Sequence, residues 1–195
     1  LEGGSPGSFW SLIHSRCRTE ALMGLKKWDR AEAELREILL RHPNHHRTLA
    51  DLGWATHKMG KLQEACELLE RSVQLAGSDP SDVATCHYRL GRSYWKREGA
   101  FRQDRSFAYT SFLKAASSAS ADPVLCSRAF RSLGHYYLVV GEDKPRALRC
   151  YRKAVEKDPE RKGAGRAACA LLREQNKDLE IIEACDQSLS DPRSL

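Results

Sequence analysis

The chain has 195 residues, of which 41% are hydrophobic and 30% charged, with a formal net charge of +6. That composition suits a folded, well-solvated protein with a bias towards acidic partners, and no stretch approaches the ~18 uninterrupted apolar residues of a membrane span. The seven cysteines, Cys17, Cys66, Cys86, Cys126, Cys150, Cys169 and Cys185, stand singly with no Cys-x-x-Cys pair, which argues against a disulfide framework or zinc module and for a reducing compartment.

Along the chain, residues 1–11 open Gly/Ser/Pro-rich and are expected to be flexible. They carry no initiator Met and no basic stretch leading into an apolar one, so the sequence reads as a fragment without a signal peptide. Helical periodicity then runs from 12 to 187, divided into pairs at 12–41, 45–76, 82–119, 124–157 and 161–187, with 188–195 left as a tail. Pro43, Pro80, Pro123 and Pro159 separate the pairs, where a missing N–H and a fixed φ are tolerated. Gly60, Gly99 and Gly141 mark the turns inside them.

The pairs repeat one another. Leu52-Gly53, Leu90-Gly91 and Leu133-Gly134 recur on the first helices, and Ala31/Leu35, Ala65/Leu69, Ala108/Phe112 and Ala147/Tyr151 on the second. Ala31 and Ala65 are 34 residues apart, the period of a tetratricopeptide repeat. The fold expected is therefore all-α, a right-handed α-solenoid of tetratricopeptide helix pairs, and the usual product of such a stack is a binding surface. The glycines and alanines let paired helices approach, while Leu52, Leu90, Leu133, Tyr94, Tyr137, Phe112 and Tyr151 fill the gaps. Two departures from the period predict an extension from Gly99 to Arg105 and longer loops around Gly77-Ser78-Asp79 and Ser117-Ser118-Ala119-Ser120.

Catalytic and metal patterns are missing from the sequence. The run His42-Pro43-Asn44-His45-His46 has no carboxylate at ligand spacing, and Gly60-Lys61 lacks the rest of a phosphate-binding loop. No nucleophile elbow or local Cys/His motif occurs, so neither an enzyme, a cofactor nor a metal is expected. Repeat register instead assigns a concave groove to the first helices. Its candidate binding residues are Arg47, Trp54, His57 and Lys58; Tyr88, Arg92, Trp95 and Lys96; and Arg128, Arg131 and His135. These positions mix cations with flat rings and hold no carboxylate, a pattern that admits an acidic extended peptide or, by direct contact, single-stranded RNA. Rings packed between repeats and merely solvated cations are the plainer alternative. A second basic run, from Arg146 to Arg166, is interleaved with acidic residues and reads as a solvated face.

The segments HYRLGRSYWKREG (87–99), SFLKAA (111–116) and LGHYYLVVGEDKPRALRCYRKAVEKDPE (133–160) resemble the long tetratricopeptide scaffold subunit of the superkiller complex. The resemblance is strongest from His87 to Glu160. It implies a non-catalytic scaffold, cytoplasmic and also nuclear, that holds a DExH-box RNA helicase and a WD-repeat subunit for 3'-to-5' mRNA decay and serves the RNA exosome indirectly. Family members are several times longer than this chain. The alternative is an adaptor of co-chaperone type that clamps an acidic peptide. At the clamp positions this sequence has Arg16, Glu20, Asp51, Thr85 and Arg89, and two of these would repel a carboxylate.

Overall fold

A computed structural model describes residues 6–97, 102–118 and 122–174. Among them are nine helices and no strand: α1 (Pro6–Gly24), α2 (Trp28–Arg41), α3 (His46–Met59), α4 (Leu62–Leu75), α5 (Pro80–Lys96), α6 (Arg102–Ser118), α7 (Pro123–Val139), α8 (Lys144–Lys157) and α9 (Lys162–Glu174). The observed order is the expected succession of helix pairs. The partner of α9, the tail 188–195, Gly99 and the Ala119-Ser120 part of the loop after the third pair lie outside the described residues. One difference is at the start, where α1 begins at Pro6 within the segment expected to be flexible.

Helix starts follow from a short list of caps. Asp79, Asp122 and Asp143 each accept a hydrogen bond from a backbone N–H of the first turn, from Ser81, Leu125 and Arg146 respectively, and Pro80 and Pro123 follow two of these caps directly. The caps satisfy donors that have no partner within the helix. At α3 a histidine takes this role, His45 Nδ1 accepting from Thr48 N–H at 3.2 Å, so that nitrogen carries no proton. Among the turns, Gly60 ends α3 with φ +88°, a region that only glycine enters without steric cost. In the α7–α8 turn the left-handed residue is Glu142 (φ +48°), beside the expected Gly141, and in the α1–α2 turn it is Lys26 (φ +57°).

The chain divides into two compact units, Leu1–Ala108 and Tyr109–Leu195, where the repeat pattern reads as one array. In the first unit Ala31, Leu35, Leu52 and Ala55 form a core flanked by Leu22, Met23, Trp28, Leu39 and Leu68. In the second, Ala147, Leu148, Tyr151, Ala168, Leu171 and Leu172 do the same beside Tyr137 and Leu138. Apolar burial is thus local to neighbouring helices, as a repeat chain requires. Two glycines of the Leu-Gly pairs are close-approach points: a Cβ at Gly53 would stand 2.7 Å from Leu69 Cγ, and one at Gly134 would stand 2.8 Å from the Tyr151 ring.

Of the extension expected from Gly99 to Arg105, residues 99–101 lie outside the described residues and the rest forms the first turn of α6. Asp104 in the first turn of α6 is buried and receives two hydrogen bonds from Arg97 at the end of α5, at 3.0 and 2.6 Å, while Arg97 also reaches Gln63 at 2.7 Å. This bidentate pair, with Tyr94 bonded to Glu70 alongside it, holds the end of α5 to α4 and to the start of α6.

Candidate functional site

In the first unit, α3 and α5 occupy the same position in successive pairs and present one shared face. Their register is regular: Asp51 pairs with Arg89, 38 residues on, the same separation as between Leu52 and Leu90. By that offset Lys58 corresponds to Lys96 and Trp54 to Arg92.

The face divides into two ends. At the N-terminal end the charges are matched. Arg47 Nε donates to Asp82 Oδ2 at 2.8 Å with Asp79 also close, and Arg89 Nη1 donates to Asp51 Oδ1 at 2.7 Å. Arg47 is one of the predicted groove cations, and the carboxylates that neutralise it lie beside the positions picked out by repeat register. The Asp51–Arg89 signal was legible in the sequence, since opposite charges one repeat apart at equal register face each other.

The C-terminal end gathers cations around two rings. Trp54 and His57 stack in parallel, with centroids 4.7 Å apart and an interplanar angle of 6°. Lys58 Nζ stands 4.5 Å from the Trp54 ring centre and Arg89 lies against the same ring at 5.9 Å. His57 is 2% exposed. Its Nδ1 lies 3.0 Å from Ser93 Oγ, and the Ser93 hydroxyl donates onward to the Arg89 carbonyl, so Nδ1–H is the donor to Ser93. Lys96 Nζ approaches the His57 carbonyl at 3.4 Å, where α3 ends. Burial, reinforced by Lys96, Arg92 and Lys58, pushes the His57 pKa down to about 4, so the ring is neutral at physiological pH. Lys58 is itself held below the usual lysine range by burial and by Arg92, Lys96 and Lys26. No carboxylate is paired with Lys58, Arg92 or Lys96 among the described residues.

The other predicted residues fall differently. Tyr88 is buried, and Trp95 is half-buried. In the second unit Arg128 and Arg131 are half-buried and His135 is exposed on α7. Arg131 lies against α9, where its Nη1 would be 3.1 Å from a Cβ at Gly163, and so serves packing within that unit. Of the positions picked by register, Trp54, His57, Lys58, Arg92 and Lys96 gather into one cluster. Lys26, in the α1–α2 turn, was not among the predicted residues.

Two other features have less to offer. A crevice of about 300 Å³ between α1 and α2 is lined by His14, Arg18, Glu34, Glu37 and Arg41, and the 2.9 Å Arg18–Glu34 ion pair crosses it. Among the described residues no group of three or more His, Cys, Asp or Glu side chains could hold a metal ion, and no helix is long and apolar enough to cross a membrane. Cys66, Cys86 and Cys126 are buried, and burial raises the Cys66 thiol to about 11.

Comparison with known proteins finds similar sequences and folds. Residues 20–83 match the tetratricopeptide repeat model. Over 146 residues, 75% of the chain, the sequence is 38% identical to Tetratricopeptide repeat protein 37 of Xenopus laevis, and over 125 residues, 62% of the chain, it is 40% identical to Superkiller complex protein 3 of Mus musculus. The chain spans only 9% and 8% of the length of those two relatives. A solved structure of Pseudomonas aeruginosa PilF superposes with a TM-score of 0.79 at 17% identity, covering 94% of this chain and 77% of that one, a likeness of fold alone. The chain thus carries a tetratricopeptide-repeat match over residues 20–83 and is similar in sequence to Superkiller complex protein 3.

Proposed function

We propose that this chain is part of a non-catalytic scaffold of superkiller type, in which helix pairs hold a DExH-box RNA helicase and a WD-repeat subunit together and so support 3'-to-5' mRNA decay by the RNA exosome in the cytoplasm, with nuclear complexes also served. The observation that carries the reading is 38–40% identity to superkiller-related proteins over 62–75% of the chain. The fold supports it, because stacked helix pairs offer long continuous surfaces and each pair can be specialised without disturbing the rest. Within this reading the α3–α5 face is the chain's docking surface, and Arg128, Arg131 and His135 of α7 are a separate and weaker candidate.

Affinity capture tests the proposal. The chain, tagged in the longest reading frame that contains it, is expected to recover the helicase and WD-repeat subunits from cytosol. Recovery of chaperone tails without either subunit would favour the adaptor alternative. That alternative has one supporting observation, the cationic end of the α3–α5 face, and one against it, the Asp51 carboxylate at the position where a clamp needs a neutral or basic group.

A further inference from the structure

Resting on the scaffold reading, we infer that the C-terminal end of the α3–α5 face is a subsite for an acidic, extended segment of a partner protein, with Lys58, Arg92 and Lys96 receiving its carboxylates and Lys26 extending the site towards the α1–α2 turn. Three observations carry it.

The first is charge. On one face of two neighbouring helices the matched end and the unmatched end lie side by side. Arg47 and Arg89 have carboxylate partners at 2.8 and 2.7 Å, whereas Lys58, Arg92 and Lys96 are brought together with none among the described residues. Arg92 and Lys96 are also one turn apart on α5, a spacing at which like charges repel. An arrangement of this kind is relieved when an anion binds.

The second is the backbone at Lys26. Its φ of +57° is a conformation in which glycine is the favoured residue at a helix end, yet the chain places a long cation there, exposed and near enough for its charge to be felt at Lys58.

The third observation selects the ligand. Trp54 is engaged by His57, Lys58 and Arg89, His57 is 2% exposed and Tyr88 is 8% exposed, so these rings do not offer the open platforms on which nucleic-acid bases stack. What remains is recognition of charge by cations in successive repeats. An extended chain at about 3.3 Å per residue presents carboxylates at intervals that bridge helices packed about 8 to 10 Å apart.

The test uses the intact chain and a fluorescein-labelled peptide of about twelve residues, rich in Asp and Glu, with single-stranded RNA of equal length as the competing probe. Fluorescence anisotropy is expected to show the peptide bound more tightly than the RNA. Combining Lys58→Met, Arg92→Gln and Lys96→Met should weaken the peptide at least tenfold, and Arg47→Ala should change it less than twofold. Lys26→Gly should weaken it about threefold while leaving the melting temperature unchanged or higher, a pair of effects that a purely structural lysine would not give. If the triple variant does not fold, Arg92→Gln and Lys96→Met singly should each weaken binding about threefold. No binding of the peptide by the wild type, binding by the charge-neutral variants within twofold of wild type, or tighter binding of the RNA would overturn the inference. Because the probe is synthetic, these outcomes are independent of whether capture recovers the helicase and WD-repeat subunits.

Discussion

The two ends of the α3–α5 face both carry cations in the same repeat register and differ in what those cations meet. At the N-terminal end each arginine meets an aspartate, and at the C-terminal end each cation meets other cations. The first end is settled within the fold, so its side chains contribute to holding pair to pair. In the second, no carboxylate among the described residues meets Lys58, Arg92 or Lys96; Lys58 lies over the Trp54 ring and Lys96 reaches the His57 carbonyl, beside the Trp54–His57 stack and the Ser93 contact. The contrast teaches that a basic groove in a repeat protein cannot be read as a binding surface residue by residue, because the neighbouring repeat decides which cations are already neutralised.

The largest expected effect that sharpens this contrast is the pH dependence of stability. His57 has a folded-state pKa of about 4 against an ordinary 6.5, so the fold favours the neutral ring. Its contribution is complete above pH 6.5 and is lost as pH falls from 6.5 towards 4, because the unfolded chain then binds the proton first. The full loss is about 3 kcal/mol, since each pH unit separating the folded and unfolded values contributes about 1.4 kcal/mol. Denaturant unfolding between pH 5 and 7 should show this slope, and His57→Gln should flatten it. An unchanged slope in the variant would mean that His57 is not held neutral by its burial between α3 and α5.

Next in size is Asp51→Ala. It strips the partner from Arg89, which is 20% exposed, and leaves a partly desolvated guanidinium against Trp54. A loss of about 2 kcal/mol is expected in thermal or chemical unfolding, between the values for exposed and fully buried pairs. Arg47→Ala should cost less, below about 1 kcal/mol, since Arg47 is 45% exposed and its pair with Asp82 is largely solvated. If Arg47→Ala proves the more damaging of the two, the N-terminal end is not ordered by burial as described.

Much of the fold was legible because its determinants are local and periodic. Alanine and glycine at Gly53, Ala65, Gly134 and Ala147 fall where helices touch, and the Pro80 and Pro123 breaks coincide with helix starts. Less legible were features set by side-chain reach. Lys26 and Glu142, neither of them glycine, adopt the left-handed conformations, and α1 extends back to Pro6 through residues whose composition suggests flexibility. The site divides in the same way. Register picked out the face and its cations, but Asp79 and Asp82 reach Arg47 from the cap and first turn of α5, N-terminal to the groove positions chosen on that helix. Register also treated His57 and Tyr88 as accessible, although packing between repeats removes them from solvent.

The smallest effect expected is also the one that separates the two ends by sign. Arg92→Gln removes one of three mutually repelling cations without taking a partner from any carboxylate, and glutamine retains good helix propensity. Stability should therefore rise, by about 0.3 kcal/mol at low salt, the size of one unfavourable like-charge contact one helical turn apart. The gain should fade as ionic strength approaches 1 M, where screening acts within about 3 Å. Arg89→Gln, three residues earlier on the same helix, removes the same charge but leaves Asp51 unpaired, so it should be destabilising at all salt concentrations. Matched melts of the two variants at low and high salt measure this directly. A destabilised Arg92→Gln would show that Arg92 has a stabilising partner within the fold and that the C-terminal end is as satisfied as the N-terminal one.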